Sequence, residues 1–272
     1  MSIRTIFGIL FFMLTLWGDE RIISLSPSIT EIVYGLGGGK EMVATSEYSL
    51  YPKEARELPV IGGYGNPNLE KIVSARPTLV IGQDFNSAVL QKLQKFGIKT
   101  LMLRLQTIDE IKSSISKVAQ TISKQKNAAK LIKEINDALK DAKKAKKPHS
   151  VMIVYGLKED LRGGIYIAGH DIFFEDIIKA CGNTNAYTSK LLSQPVLSYE
   201  NVIALDPQQI IILHSKATEP NVDVKRALHN WYTLPTEASK NKKISIVDEN
   251  YLHIPSQRVS LTIKRLCREM ND

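Results

Sequence analysis

Asn68-Leu69-Glu70-Lys71-Ile72-Val73-Ser74-Ala75-Arg76-Pro77-Thr78-Leu79-Val80-Ile81 decides how this chain is read, because its pattern returns 130 residues later. The second copy is Ser198-Tyr199-Glu200-Asn201-Val202-Ile203-Ala204-Leu205-Asp206-Pro207-Gln208-Gln209-Ile210-Ile211. In each, a glutamate is followed one residue later by two apolar residues. A proline stands seven positions after the glutamate, and an aliphatic β-branched pair closes the unit. That order predicts a short helix, a turn and a buried strand. The proline ends the helix by excluding helical geometry from the residue before it. Val80-Ile81 and Ile210-Ile211 suit interior strands of a parallel sheet. A spacing of 130 residues makes the unit half a molecule and not a short solenoid repeat. The expectation is two similar α/β lobes with a binding cleft between them.

Outward from the first copy, strands are predicted at 21–25, 42–45, 60–62, 78–82 and 99–103, with helices at 27–35 and 88–96. A helix over 107–122 is marked by a Thr107/Glu110 capping box. Its apolar face is Ile108, Ile111, Ile115, Val118 and Ile122. A longer helix, about 126–146, carries a narrow apolar stripe on a charged body, and Pro148 ends it. Beyond it come strands at 150–155, 209–213 and 243–247, and helices at 171–180, 224–230 and 256–270. Strands alternating with helices on both sides of the long helix give an α/β class with two mainly parallel sheets. The expected boundaries are 1–18, 19–125 for the first lobe, 126–147 for the linking helix and 148–272 for the second lobe.

Met1 to Gly18 reads as a secretory signal: Arg4, an apolar run from Ile6 to Trp17, and a small residue at the cleavage point. A retained anchor is the competing reading, but the run falls short of the ~20 residues that span a bilayer. Cleavage would reduce the formal net charge from +8 to +7. Nine lysines between Lys124 and Lys147 hold much of the excess, which reads as a solvated helix face. No recognition motif supports nucleic-acid binding. Two cysteines, Cys181 and Cys267, in an exported chain favour one disulfide.

The segment Arg21-Ile22-Ile23-Ser24-Leu25-Ser26-Pro27-Ser28-Ile29-Thr30-Glu31, the Asn68–Arg76-Pro77 unit and its second copy resemble class III periplasmic substrate-binding proteins of ABC importers. Tyr48-Ser49-Leu50-Tyr51-Pro52 resembles a loop of the cobalamin-binding branch, and Cys181 and Cys267 match that branch's cysteine positions. The resemblance implies two α/β lobes joined by one rigid helix. It implies capture of cobalamin or a related corrinoid, with haem or a ferric siderophore as the alternative. It also implies a periplasmic location and delivery to an inner-membrane permease dimer, gripped through Glu70 and Glu200. The chain departs from the cobalamin branch at Tyr64, Phe85 and Gln194, where tryptophans are usual, and at Tyr166, where a phenylalanine is.

Ligands of open α/β sheets bind outside the carboxyl ends of the strands. The loops there carry Tyr48, Tyr51, Tyr64, Phe85, Tyr166 and Tyr251, with Gln83, Asp84, His170, Gln194, Asn250 and His253. So many flat rings suit a large conjugated ligand. His170, His253 or a tyrosine could coordinate iron in such a ligand. Arg258 could grip a ligand carboxylate or phosphate bidentately, or cap nearby backbone. Gly35-Leu36-Gly37-Gly38-Gly39 follows a helix and not a strand, so it reads as a helix C-terminal turn and not a dinucleotide loop. With no nucleophile elbow, phosphate loop or zinc motif, the chain is expected to be no enzyme, with no resident cofactor or metal and a monomeric state.

Overall fold

The structure is a computed structural model that describes residues 20–215 and 219–271. The expected signal sequence therefore lies outside the described residues. The first lobe runs β1 (Ile22–Ser24), α1 (Pro27–Gly35), β2 (Met42–Ala44), β3 (Gly62–Gly63), β4 (Asn66–Pro67), α2 (Leu69–Ser74), β5 (Leu79–Gln83), α3 (Ser87–Lys95) and β6 (Lys99–Leu103). Its four-stranded sheet, ordered β2-β1-β5-β6, is parallel throughout. Helices α4 (Ile108–Thr121) and α5 (Gln125–Lys140) follow. The second lobe holds β7 (Ser150–Tyr155), β8 (Ile165–Ile167), α6 (Phe173–Ala180), β9 (Thr184–Asn185), β10 (Val196–Leu197), α7 (Tyr199–Leu205), β11 (Gln209–Leu213), α8 (Val224–Tyr232), α9 (Glu237–Lys240), β12 (Ile244–Val247) and α10 (Val259–Asn271). Its sheet is mixed: β7, β11, β12 and β9 pair in parallel, while β8 and β10 add antiparallel strands at one edge.

Both copies of the repeat fold alike. Asn68 and Ser198 cap α2 and α7 with their side chains. Arg76 and Asp206, before the two prolines, take left-handed conformations at φ 48° and 43°. The strands that follow, β5 and β11, lie inside their sheets. The glycine run is a helix stop: Gly38 N–H donates to Val33 O, Gly37 N–H to Tyr34 O, and Gly37 sits at φ 81°.

Strand alternation assigns every second residue to a core common to both lobes. Ile22, Leu79, Ile81, Val151, Ile153 and Ile211 join one buried cluster with Ile111, Ile115 and Val118 of α4, Ile135 of α5 and Ile263 of α10. The intervening residues, Ile23 and Val80 in one lobe and Met152, Ile210 and Ile212 in the other, face separate outer cores.

Two expectations need correction. The linking helix stops at Lys140 and not at 146 or 147. Beyond it the backbone serves other partners: Ala145 N–H donates to Cys181 O, and Asn271 holds the Lys143 carbonyl. The strand expected at 60–62 reduces to an isolated Thr45–Val60 bridge and a two-residue pairing of β3 with β4. The Thr107/Glu110 capping box forms as read. Cys181 and Cys267 form a disulfide that ties the end of α6 to α10. Among the described residues, no helix is long and apolar enough to cross a membrane.

Candidate functional site

Two connected hollows lie where the lobes face each other. The larger, about 710 Å³, is lined from the first lobe by Ser26, Pro27 and Ser28 at the start of α1, by Tyr48, and by Tyr64, Gln83, Asp84 and Phe85. Tyr155, Ile172, Phe173, Ser193, Gln194 and His253 line it from the second. The smaller, about 280 Å³, continues past Tyr48, His253 and Ile254 to Tyr51, Asn250, Glu31 and Arg258.

Local chemistry fixes these side chains. Ser49, between Tyr48 and Tyr51, is buried and receives a hydrogen bond from Thr30 at 3.1 Å. Thr30 in turn contacts Ser24 and Thr45 at 2.5 and 2.6 Å. The tyrosines are thereby held on a buried hydroxyl chain while remaining exposed themselves. Asn86, 2% exposed, accepts from Gln83 N–H and donates to Tyr64 O at 2.8 Å. It sets the Tyr64 and Phe85 rings edge to face at 5.8 Å. The two lobes meet directly at the cleft floor. Phe173 N–H donates to Gln106 O at 2.6 Å, and Ile108 N–H donates to the Asp176 carboxylate at 2.9 Å.

In the second lobe, Gly169 permits a close approach. A Cβ there would lie 2.3 Å from the Leu192 carbonyl oxygen and 2.7 Å from Pro195 Cδ. The 192–195 segment therefore lies flat against 167–170, joined by Ile167 N–H to Pro195 O, Gly169 N–H to Ser193 O and His170 N–H to Leu192 O. This seat brings Ser193 and Gln194 into the cleft.

Three expected residues do not line either hollow. Tyr166 lies in β8, half exposed, with Lys158 Nζ 4.8 Å above its ring. His170 is engaged on both ring nitrogens, by Asp171 at 3.2 Å and Glu175 at 3.0 Å, and Lys179 also pairs with Glu175. Tyr251 packs against the common core. Arg258 reaches the cleft, but Glu31 already holds it: Nε donates to Oε2 at 2.9 Å and Nη2 to Oε1. Ser256 donates to the same carboxylate at 2.5 Å, and Arg258 Nη1 donates to Asn250 at 2.9 Å. The ring of Tyr51 lies 3.9 Å from the guanidinium carbon. Glu31 is 3% exposed and Arg258 9%, so this is a buried ion pair across the lobes.

Sequence reasoning missed Tyr155, Gln106, Phe173 and the start of α1. Tyr155 ends β7, so the rule placing ligands at strand carboxyl ends was the signal that could have found it. Burial pushes its phenol pKa up, and Gln194 opposes part of the shift. Burial likewise pulls His253 below its ordinary value, against the pull of Glu219 and with the help of His214, so its imidazole is neutral at pH 7.

Glu70 and Glu200 lie outside the cleft, each the second residue of an equivalent helix and each exposed. The Ser198 hydroxyl holds the Glu200 carboxyl below the usual range.

Two α/β lobes on a common core, with an aromatic cleft between them, define a two-lobed solute-binding protein. The chain belongs to the periplasmic binding protein family, whose model matches residues 22–251. It is 27% identical over 250 residues to the vitamin B12-binding protein of Vibrio vulnificus, covering 91% of this chain and 89% of the relative. It is 24% identical over 257 residues to that of Photorhabdus laumondii, covering 93% and 88%. Among solved structures, the periplasmic vitamin B12-binding protein BtuF of Vibrio cholerae matches with TM-score 0.73 and 27% identity, over 92% of this chain and 96% of that one. The haem-binding protein HutB of Vibrio cholerae matches with TM-score 0.79 over 93% and 100%, and its 23% identity speaks for the fold alone.

Proposed function

We propose that this chain is an exported substrate-binding protein that captures cobalamin or a related corrinoid between its lobes and delivers it to an ABC-importer permease. The charge of the cleft carries the reading. The larger hollow is bordered by aromatic, hydroxyl and amide groups. Among its described lining residues Asp84 is the one acidic side chain, His253 is neutral, and there is no lysine or arginine. Arg258, in the smaller hollow, is neutralised by Glu31. A corrinoid rim is largely neutral carboxamide, which such walls can bind by hydrogen bonds. Haem presents two carboxylates and most ferric siderophores are anionic, and both would leave charge uncompensated. The vitamin B12-binding relatives support the same reading.

Haem remains the second reading, favoured by one observation. His253 lines both hollows, and its buried Nε2 has no hydrogen-bond partner among the described residues. In either case the metal chelate is cargo, with no resident cofactor and no catalysis. We place the protein in the periplasm as a monomer, with its signal removed near Gly18. Glu70 and Glu200 pair with arginines of a permease dimer, which senses the lobes through them.

The test is calorimetric titration of the mature protein with cyanocobalamin, followed by uptake with Glu70→Ala/Glu200→Ala. One site of micromolar affinity or tighter is expected, and the double variant should bind normally yet fail to support transport. Absence of heat and of competition would remove the corrinoid, and unimpaired uptake would remove the docking role.

A further inference from the structure

Glu31 and Arg258 stand 227 residues apart in sequence and meet inside the cleft wall. Glu31 belongs to α1 of the first lobe, while Arg258 and Ser256 immediately precede α10 in the second. Arg258 is the one lysine or arginine among the described residues lining either hollow. Its side chain spends three of its five N–H bonds, two on Glu31 and one on Asn250. Tyr51 covers a face of the guanidinium. Arg258 and Glu31 both line a hollow of about 280 Å³ that shares Tyr48, His253 and Ile254 with the larger one. A carboxylate-bearing arm of a ligand seated in the larger hollow could enter it. What it would meet is a guanidinium whose charge is already balanced by Glu31, with a second glutamate, Glu219, on the same hollow.

We propose that Glu31 is a specificity-determining residue: it withholds the cleft's arginine from anionic ligands and so selects a neutral tetrapyrrole over an acidic one of the same size. An arginine in a ligand cleft ordinarily recruits carboxylates through a fork of parallel hydrogen bonds. Here that fork is filled by an internal carboxylate, which also repels an incoming anion. Specificity is gained by a group that penalises the wrong ligand as well as by one that attracts the right one. The inference rests on the reading of the cleft as a tetrapyrrole site, and it identifies the group that sets the preferred charge.

The experiment compares metal-free protoporphyrin IX with its dimethyl ester, so that axial metal coordination plays no part. Binding of each is followed by fluorescence to wild type, Glu31→Gln and Glu31→Leu/Arg258→Met. The amide of Glu31→Gln can retain one hydrogen bond to Arg258 but leaves its charge unbalanced. This variant should bind the diacid at least tenfold more tightly than wild type does, with little change for the ester. The double variant, which has neither charge, should show no such gain. A folded Glu31→Gln protein with no gain for the diacid, from a weak or an undetectable baseline, overturns the proposal. An equal gain for acid and ester also overturns it, because that reports a loosened cleft. Should Glu31→Gln fail to fold, Glu31→Asp replaces it: the shorter carboxylate releases one edge of the guanidinium, and a smaller gain of the same sign is expected. Wild type preferring the diacid to the ester would refute the idea without any variant. Failure of wild type to bind cyanocobalamin would remove the corrinoid reading and leave this comparison intact.

Discussion

Replacing Gly169 by alanine should damage the cleft from behind. The added Cβ would sit 2.3 Å from the Leu192 carbonyl oxygen, 2.7 Å from Pro195 Cδ and 3.2 Å from the Ser193 carbonyl oxygen. Ordinary contact begins near 3.4 Å, so the 192–195 segment must retreat by about 1 Å. The bonds from Gly169 N–H to Ser193 O and from His170 N–H to Leu192 O start at 2.8 and 3.0 Å. A shift of that size takes them beyond the ~3.5 Å at which a hydrogen bond ceases to count. Two such bonds are worth about 1 kcal/mol each, and overpacking costs roughly 1–3 kcal/mol, so a destabilisation of about 3–5 kcal/mol is expected. Ser193 and Gln194 move with the segment, and loss of one well-placed hydrogen bond should weaken corrinoid binding about tenfold. Urea unfolding, hydrogen exchange of the 190–196 amides and calorimetry would measure the three effects. Gly65→Ala is the control, because a Cβ there meets nothing within 4 Å. If Gly169→Ala unfolds like Gly65→Ala and its 190–196 amides exchange like wild type, the account of this seat is wrong.

Two further outcomes are expected. Removing the disulfide with Cys181→Ala/Cys267→Ala opens a loop of 86 residues and should cost about 4–5 kcal/mol by the loop-entropy relation. Unfolding in urea with and without reductant would measure this, and a loss under 1 kcal/mol would show that α5, α6 and α10 hold without it. The folded pKa of His253 lies below its unfolded value of 6.5, so the folded state resists protonation there. That contribution is fully present above pH 6.5 and is lost as pH falls from 6.5 through the folded pKa, with a slope of at most about 1.4 kcal/mol per unit. His253→Phe should flatten this part of the stability–pH curve, and an unchanged slope would assign it to other groups.

Much of the frame was legible because buried strands announce themselves. Lys99–Leu103, Ser150–Tyr155 and Gln209–Leu213 have the expected bounds, each an aliphatic run framed by turn residues or charges. The sequence does not reveal β8 or the edge strand β10. Ile165–Ile167 and Val196–Leu197 are too short to show a period, and only their antiparallel pairing makes them strands. The end of α5 was misplaced because lysine and alanine suit a helix equally well inside and beyond it, and a tertiary bond to Cys181 O decides the stop. In the cleft, the loop aromatics Tyr48, Tyr51, Tyr64 and Phe85 could be found from their position after strands. The partnership of Arg258 could not. Nothing local in Ser256-Gln257-Arg258 points to Glu31, and a free arginine there reads naturally as a ligand group.

The common core of the two lobes has a consequence for traffic at the membrane. Lobes that share Ile22, Val151, Ile115 and Ile263 in one buried cluster cannot swing apart without exposing it. An empty molecule and a loaded one then present Glu70 and Glu200 at nearly the same separation. On the docking role proposed for Glu70 and Glu200, vacant protein would compete with cargo-bearing protein for the same transporter, so abundance beyond what the nutrient can fill would slow import. Release would have to be driven from outside, by a machine strong enough to pry apart what folding has joined.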